Sequence, residues 1–332
     1  MTHVDLSHDP AAMRRIFLAL RLAAPDEEVR AVPLAGGVSS GIYRVDLRRG
    51  SYCVKQALPK LKVAKNWQVP VERVFAEIGY LRTVAAIVPL LVPQVLGEDA
   101  ASKSFVMAFL GPEYRNWKTE LLAGRVEVDT AGATGAILGR IHAATADDAA
   151  LARRFANDAD FHALRLEPYL VETAREHPAL AGRLLQLVER TAGTRRVLVH
   201  GDVSPKNILL GPQGPVLLDA ECAWFGDPAF DLAFCLNHFL LKAAHRPAQT
   251  RELMDSFAAF LAAYWPQVRW EPVAALEGRV ATLLPGLTLA RVDGKSPVEY
   301  LGEPQRASVS PGSSVATRPS SAATGSQRTC GQ

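Results

Sequence analysis

Two short apolar runs that each lead into polar residues constrain the fold of this chain more than any other feature. Residues 197–199 (Val-Leu-Val) precede His-Gly-Asp, and residues 216–218 (Val-Leu-Leu) precede Asp-Ala-Glu. Apolar runs of this length between turn-forming residues predict buried strands. Because polar side chains follow both runs, we expect Asp202, Asn207 and Asp219 to converge at one edge of a small sheet.

This set of polar groups matches the requirements of phosphoryl transfer. The transition state of that reaction is loose, so catalysis consists mostly of positioning and charge stabilisation. One carboxylate orients the attacking hydroxyl and accepts its proton, while an amide oxygen and a second carboxylate hold Mg²⁺ against the phosphates. The pattern therefore favours a phosphotransferase, and the alternative is a pair of solvated loop acids beside an asparagine turn.

The residues before this segment predict a small antiparallel sheet with one inserted helix. Apolar and polar residues alternate through 43–47 and 52–55, on either side of an Arg-Gly turn at 49–50, and this pattern predicts a hairpin. From Pro70 to Leu81 apolar residues recur every three or four positions, which predicts a helix. Three further strands are predicted at 32–34, 93–96 and 104–110.

The second half of the chain predicts a mostly helical region. Helical patterns cover about 129–144, 160–191 and 228–264, and Asp129 is a candidate N-cap of the first. The last segment, 302–332, contains no Leu, Ile or Phe. Such a segment cannot bury enough apolar surface to offset an ordering cost of about 1–2 kcal/mol per residue, so we expect it to be disordered.

Together these patterns predict an α+β chain of two lobes. The predicted divisions are a helical N-terminal extension over 1–28, a nucleotide-binding N-lobe over 29–111, a catalytic and acceptor-binding C-lobe over 112–301, and the disordered tail over 302–332.

Composition and charge disfavour several classes of function. The 332 residues carry 37 Lys and Arg against 34 Asp and Glu without a basic block, which disfavours a nucleic-acid partner. No stretch of about 18 apolar residues lacks a charge, so no membrane span or membrane partner is expected. The four cysteines show no paired or metal-ligand spacing, which indicates a reducing, cytoplasmic compartment.

Three blocks in order give the chain a resemblance to a known family. Residues 200–207 (His-Gly-Asp-Val-Ser-Pro-Lys-Asn), 219–221 (Asp-Ala-Glu) and 226–233 (Gly-Asp-Pro-Ala-Phe-Asp-Leu-Ala) resemble the motifs of the aminoglycoside phosphotransferase and choline kinase family. The resemblance implies a two-lobe, protein-kinase-like fold with a small antiparallel-sheet N-lobe and a larger, mainly helical C-lobe. It also implies ATP- and Mg²⁺-dependent transfer of a γ-phosphate to a hydroxyl of a small molecule.

The resemblance assigns roles to single residues around this chemistry. Asp202 is expected as the catalytic base, and Asn207 with Asp219 as the magnesium ligands. Asp231 is expected to accept hydrogen bonds from the backbone of the catalytic loop, and His200 is expected to brace that loop rather than to exchange protons.

The N-lobe supplies candidates for binding the nucleotide phosphates. The string Gly-Gly-Val-Ser-Ser-Gly at 36–41 joins two predicted strands. Its backbone and hydroxyl groups, at Gly37, Ser39 and Ser40, can donate hydrogen bonds to phosphates, and a plain hairpin turn is the alternative. Lys55 on the following strand matches the lysine that contacts the ATP phosphates in the kinase fold.

The partner acid of Lys55 is expected on the helix that follows. Glu77 borders the apolar stripe of that helix and is favoured over its competitor, Glu72. Between the lobes, backbone groups at Ala108 and Leu110 are expected to contact the adenine ring.

The acceptor is expected to be a small hydroxylated metabolite or a sugar-like molecule. Protein kinases commonly place Lys two residues after the catalytic Asp, whereas this chain has Ser204. Residues 54–59 (Val-Lys-Gln-Ala-Leu-Pro), with Trp67 and Pro70, are similar to methylthioribose kinases of the same superfamily, although Asn207 departs from their pattern. The side chains expected to line the acceptor cleft are Glu221, Asp227, Tyr169 and Arg291.

Three other functions fit part of the sequence. A catalytically inactive, ATP-binding module of the pseudokinase kind is the main alternative. Residues 37–41 formally fit the G-x-S-x-G elbow of α/β-hydrolases with Ser39 as nucleophile, but that elbow requires a helix after the serine. His200, Asp202 and Asp219 could bind a transition metal, but a further histidine at ligand spacing is missing.

Overall fold

The computed structural model of the protein describes residues 5–34, 40–59 and 70–309. Within these ranges an N-lobe built on one sheet joins a larger, mainly helical C-lobe, which confirms the predicted α+β class. The strands are β1 (Ala31–Pro33), β2 (Ser40–Leu47), β3 (Gly50–Ala57), β4 (Val95–Asp99), β5 (Ser104–Ala108), β6 (Arg115–Asn116), β7 (Val197–Val199), β8 (Ile208–Gly211), β9 (Gly214–Leu217) and β10 (Trp224–Gly226). The α-helices are α1 (Pro10–Ala19), α2 (Arg73–Ile87), α3 (Trp117–Leu122), α4 (Val128–Thr145), α5 (Ala149–Arg154), α6 (Asp158–Phe161), α7 (Glu172–Glu176), α8 (Ala181–Gly193), α9 (Pro228–His245), α10 (Thr250–Tyr264), α11 (Val273–Asp293) and α12 (Glu303–Val309).

The N-lobe sheet is antiparallel, with the strand order β1-β2-β3-β5-β4. Successive residues of a strand point to opposite faces of the sheet. Tyr52 and Val54 of β3 therefore share an apolar cluster with Phe17 of α1, while Lys55 points to the other face and contacts Glu77 of α2. The alternation of apolar and polar residues in the hairpin thus also places Lys55 on the face of the sheet that is directed toward the C-lobe.

The N-terminal helix is part of the N-lobe core. Met13 and Phe17 of α1 are almost fully buried against the sheet. The predicted extension over 1–28 therefore contains a helix, as expected, but this helix covers one face of the sheet and is not a separate appendage.

The C-lobe core is formed mainly by the packing of α4 on α10 and of α11 on α9. Two small sheets stand at its edge toward the N-lobe, with β7 paired to β10 and β8 lying between β6 and β9. The expectation that one small sheet carries the polar loops is therefore wrong in detail, because β7 and β9 belong to different sheets. Instead, a hydrogen bond of 2.9 Å from the Leu218 amide to the Asn207 carbonyl oxygen joins the loop after β7 to the loop after β9.

Some predicted helices and strands differ from those observed. The pattern at 160–191 is divided into α6, a π-helix (His162–Val171), α7, a 3₁₀ turn (Pro178–Leu180) and α8, because Pro168 and Pro178 cannot donate to a regular helical ladder. Asp129 lies in the first turn of α4 and is not its N-cap. The last predicted N-lobe strand ends at Ala108 rather than at residue 110.

Two features concern the C-terminal part of the chain. Among the described residues, α11 has the length and apolar composition of a membrane-spanning helix, and its buried residues pack within the C-lobe core. The predicted disorder from residue 302 is wrong for Glu303–Val309, which form α12 against α9 and α11. Residues 310–332 lie outside the described ranges.

Candidate active site

The loop that follows β7 is fixed by a carboxylate from the first turn of α9. Asp231 accepts hydrogen bonds from the backbone amides of His200 and Gly201, both at 2.8 Å. Gly201 has a φ of +78°, and a Cβ there would lie 2.6 Å from the carbonyl oxygen of Cys222. Only glycine fits this position, because both the backbone angle and the space exclude a side chain. The bonds expected of Asp231 are thus present.

His200 connects this loop to the one that follows β9. Its Nδ1 accepts from the Asp202 amide, and its Nε2 lies 3.1 Å from the carbonyl oxygen of Leu218, to which it donates. These partners require the neutral tautomer, and burial lowers the pKa of His200. The arrangement suits a residue that braces the loop and not one that exchanges protons.

Asp202 is almost fully buried, and its two carboxylate oxygens have different surroundings. Oδ2 lies 2.9 Å from Nη2 of Arg165 and 3.1 Å from Nζ of Lys206. Oδ1 has no hydrogen-bond partner among the described residues. Burial raises the pKa of Asp202, but the cations of Lys206 and Arg165 outweigh it and hold the pKa below its usual value. The carboxylate is therefore ionised at neutral pH, and its Oδ1 has unused capacity to accept a hydrogen bond.

Arg165 is the residue of this site that the sequence did not identify. It lies on the π-helix, and its guanidinium also donates to the carbonyl oxygens of Gly201 and Leu164. The signal in the sequence is weak, because it is only a cation between two leucines in a helical stretch. The contact with Asp202 depends on a packing of segments 37 residues apart in the chain.

Asn207 and Asp219 line a cleft between the two lobes. Asn207 is bound directly to the loop that carries Asp202. The side-chain amide of Asn207 donates to the carbonyl oxygen of Asp202 at 3.2 Å. Asp219 has a φ of +64°, which is uncommon for a residue with a side chain and is found more often for Asp and Asn than for others. The three polar residues predicted to converge are thus brought together.

Lys55 joins the N-lobe to this group of residues. Its ammonium lies 2.7–2.8 Å from the carboxylate oxygens of Glu77 and also contacts Asp219. Burial lowers the pKa of Lys55, but the carboxylates of Asp219 and Glu77 reverse that effect, so the pKa is raised and the ammonium stays charged. Glu72, the competitor, is exposed and pairs with Lys103. Glu77 is therefore the partner of the lysine.

A cleft of about 340 Å³ lies between the lobes at this point. Lys55, Glu77, Asn207 and Asp219 line its polar end. The residues that line it from the connection between the lobes and from β2 are Ser40, Met107, Ala108, Phe109 and Leu110. The Ala108 amide already donates to the carbonyl oxygen of Gln94, which leaves the Leu110 backbone as the better candidate to contact a base. Gly37 and Ser39 lie outside the described residues.

The four predicted acceptor contacts differ in their surroundings. Asp227 is buried, accepts from the Ala229 amide at the start of α9 and pairs with Arg279 at 3.1 Å. The Asp227 carboxylate is thus engaged in a helix cap and an ion pair, and its contact with an acceptor stays a prediction. Glu221 pairs with Arg73 of α2 at 3.0 Å, so it connects the two lobes, and its contact with an acceptor stays a prediction.

Tyr169 and Arg291 lie close to the catalytic loop. The guanidinium carbons of Arg165 and Arg291 lie 5.9 and 5.8 Å from the centre of the Tyr169 ring. Tyr169 also packs edge-on against Phe234 of α9. These two predicted residues are thus linked to Asp202 through Arg165, and their contact with an acceptor stays a prediction.

Comparison with known proteins identifies relatives by sequence. The sequence profile of the phosphotransferase enzyme family (APH) matches residues 30–270. The methylthioribose kinase of Geobacillus thermodenitrificans (strain NG80-2) is 27% identical over 269 residues, which cover 70% of this chain and 67% of the relative. Methylthioribose kinase 2 of Oryza sativa subsp. japonica is 23% identical over 253 residues, which cover 68% of this chain and 59% of the relative. The chain thus spans about two thirds or less of the length of these relatives.

Solved structures with low sequence identity share the fold. The Plasmodium vivax ethanolamine kinase Pv091845 has a TM-score of 0.53 and 12% identity, over 82% of this chain and 76% of the other. The amicoumacin kinase hAmiN, solved with AMP-PNP and Ca²⁺, has a TM-score of 0.52 and 14% identity, over 91% and 93%. A choline/ethanolamine kinase family protein from Mesorhizobium loti has a TM-score of 0.50 and 17% identity, over 85% of both chains. The predicted protein-kinase-like fold is confirmed.

Proposed function

We propose that this chain, which belongs to the phosphotransferase enzyme family, transfers the γ-phosphate of ATP to a hydroxyl group of a small molecule with the help of Mg²⁺. Family membership and the methylthioribose kinase relatives make it a small-molecule kinase. The observation that carries the finer proposal is that Asn207, Asp219 and the Lys55–Glu77 pair line one cleft. Asn207 is in turn hydrogen-bonded to the backbone of Asp202.

The cleft between the lobes suits a nucleotide triphosphate. Its apolar end, at the connection between the lobes, suits an adenine ring, and its polar end holds the ammonium of Lys55. In this fold such a lysine contacts the phosphates and is itself positioned by a glutamate, the place that Glu77 occupies here. The amicoumacin kinase of the same fold was solved with an ATP analogue and a divalent cation.

Asn207 and Asp219 have the chemistry of magnesium ligands. Because the amide nitrogen of Asn207 is bound to the Asp202 carbonyl, its oxygen is left for another partner. Burial raises the pKa of Asp219, but Lys55 and Lys206 lower it well below its usual range, so the carboxylate is ionised. Hard cations such as Mg²⁺ prefer these oxygen ligands, and the bound ion would neutralise charge on the phosphates.

Asp202 is placed to act on the acceptor. Its free Oδ1 would accept a hydrogen bond from the acceptor hydroxyl and orient the oxygen toward the γ-phosphorus. The acceptor oxygen then bonds to that phosphorus as the bond to the β–γ bridging oxygen breaks, ADP leaves, and the hydroxyl proton passes to Asp202. Lys206, 3.1 Å from Oδ2, supplies a positive charge beside the transferred group.

The variant Asp202→Asn tests this proposal. We expect it to lower kcat by about 10²–10⁴, the usual contribution of a general base, while AMP-PNP with Mg²⁺ still raises its Tm. The assay follows ADP release and the phosphorylated product over 5-methylthioribose, choline, ethanolamine, glycerate and ribose 5-phosphate. Asp255→Asn, at an exposed aspartate of α10, is the matched control and should leave turnover unchanged.

Two results would contradict the proposal. Undiminished turnover in Asp202→Asn would remove this residue from the chemistry. A wild-type protein that binds AMP-PNP but forms no product from any compound of the panel would support the inactive, nucleotide-binding module.

The hydrolase alternative is already disfavoured, because Ser40–Leu47 form a strand where the nucleophile elbow needs a helix.

A further inference from the structure

A set of basic side chains lies close to the rings of Tyr169 and Phe234, against which Arg165 packs. We call the basic cluster the four residues Lys118 of α3, His238 and Lys242 of α9, and Arg291 of α11. The proposed mechanism uses none of them. Lys206, which contacts Asp202, is a further cation whose charge acts on His238.

Ring contacts connect Asp202 to the basic cluster. Arg165, 2.9 Å from the Asp202 carboxylate, lies against the rings of Tyr169 and Phe234 at 5.9 and 5.8 Å. Arg291 lies on the same Tyr169 ring, and His238 packs edge-on against Phe234 with ring centres 5.8 Å apart. The cluster is thus linked to the carboxylate through Arg165 and the rings of Tyr169 and Phe234.

The cluster is built on rigid elements. Phe234, His238 and Lys242 follow one another at intervals of four residues on α9, so they share one face of that helix. Lys242 is buried, with its ammonium 5.1 Å from the centre of the Tyr300 ring. Arg291, in the last turn of α11, is held by a hydrogen bond to the Ser296 hydroxyl at 3.1 Å.

Several polar atoms of this region are buried without a partner among the described residues. They include both ring nitrogens of His238, Nε of Arg291 and the hydroxyl of Tyr300. His238 is only 6% exposed, and leaving a buried polar atom unpaired costs about 1–3 kcal/mol. Such groups at one place indicate that a polar ligand completes the hydrogen bonds when it is bound.

Positive charge in the cluster is poorly compensated. Among the described residues one acid, Glu299, pairs with the cluster, through Lys118. Burial, together with the charges of Lys118 and Arg291, lowers the pKa of Lys242 to about 7. Burial and the neighbouring cations hold the pKa of His238 well below its usual value. The described part of the cluster therefore has a deficit of negative charge.

We propose that the acceptor is an anion, a small hydroxylated molecule whose carboxylate or phosphate group binds the basic cluster while its hydroxyl lies at Asp202. This inference rests on the kinase function proposed above and names its substrate class. An anionic group supplies acceptors to the unpaired donors and offsets the charge of Lys118, Lys242 and Arg291. The positive charges of the basic cluster would repel a quaternary or primary ammonium group at the same place. The proposal therefore excludes amino alcohols as the preferred acceptors.

The test measures kcat/KM for matched acceptors that differ in charge. One series has a three-carbon backbone: glycerate, glycerol 3-phosphate, glycerol and 3-amino-1,2-propanediol. The other has a five-carbon backbone: ribonate, ribose 5-phosphate, ribose and 5-methylthioribose. We expect the anions to exceed their neutral and cationic counterparts by at least about 10-fold, the value of one charged hydrogen bond. Carboxylates and phosphates are separate arms, so the preferred anion is identified by the same measurement.

Variants of the cluster separate recognition from structure. Lys242→Met and His238→Gln should raise KM for the preferred anion by about 10-fold or more, and should lower the ratio of kcat/KM for the anion to kcat/KM for its neutral counterpart. Because burial disfavours the ammonium form of Lys242, Lys242→Met should keep or raise the Tm while losing the anion. Arg251→Gln, at a cation 92% exposed on α10, is the control and should alter neither value.

The outcomes of this test are distinguishable from failure of the kinase proposal. Preferred turnover of neutral or cationic acceptors would leave the kinase standing and overturn the anionic acceptor. If no acceptor of the panel is phosphorylated, the kinase proposal fails. Calorimetric titration with ribose 5-phosphate and ribonate then tests whether the basic cluster binds an anion. Binding that Lys242→Met abolishes would support an anion site, and no binding, or binding equal in the variant, would overturn it.

Discussion

Asp202 illustrates how the environment of one residue determines what it can do. Two cations on a single oxygen keep the carboxylate ionised, while the other oxygen stays without a hydrogen bond from the described residues. Spacing along the chain predicted that Asp202, Asn207 and Asp219 converge, since apolar strands flank them, whereas Lys55 and the individual roles came from the family resemblance. It could not reveal Arg165, because a contact across segments leaves no local pattern.

The Lys55–Glu77 pair gives a prediction at the same scale. Glu77→Gln removes the charge that holds the lysine, so we expect kcat/KM for ATP to fall about 10–100-fold, the loss of a charged hydrogen bond of about 1.5–3 kcal/mol. Steady-state kinetics at varied ATP measures this. Glu72→Gln, on the same helix but exposed, is the control, and equal effects of the two variants would mean that the pair does not position Lys55.

At the scale of elements, the periodicity of the sequence located most helices and strands but not their interruptions. Alternation over 43–55 gave the hairpin of β2 and β3, and the spacing after Pro70 gave α2. The helical pattern at 160–191 continues across Pro168, whereas the structure has a π-helix at this proline. That local change of winding positions Arg165, and it depends on tertiary packing that periodicity does not contain.

The contact between α4 and α10 gives a prediction for this scale. A Cβ on Gly135 of α4 would lie 2.1 Å from the carbonyl oxygen of Phe260 on α10. Gly135→Ala must therefore separate the helices, and overpacking of this kind costs about 1–3 kcal/mol. Thermal and urea unfolding measure the loss.

The same substitution in an open position is the matched control. Gly278 of α11 is exposed, and a Cβ there meets no atom within 4 Å. Gly278→Ala should stabilise the protein by about 0.5–1 kcal/mol, because alanine loses less conformational entropy in a helix. A Gly135→Ala variant as stable as the wild type would show that the two helices are not in close contact.

At the scale of the whole molecule, apolar and charged contacts together join the lobes. One apolar cluster lies between α1 and the N-lobe sheet, and a larger one fills the C-lobe and continues into α2 and β5 of the N-lobe. Among the described residues, two ion pairs also cross between the lobes, Lys55 to Asp219 and Arg73 to Glu221. Lys55 and Asp219, which the proposal assigns to the phosphates and the metal, are therefore also part of the contact between the lobes. The two-lobe class followed from the sequence, but these contacts between lobes did not.

The central claim is that Asn207, Asp219 and Asp202 meet around the metal and the γ-phosphate of a nucleotide in the cleft. Crystals grown with AMP-PNP and Mn²⁺ in place of Mg²⁺ test it through the anomalous signal of manganese. We expect one strong peak bound by the amide oxygen of Asn207 and the carboxylate of Asp219, with the γ-phosphate facing Asp202. A peak away from these residues, or a nucleotide bound outside the cleft, would contradict the account.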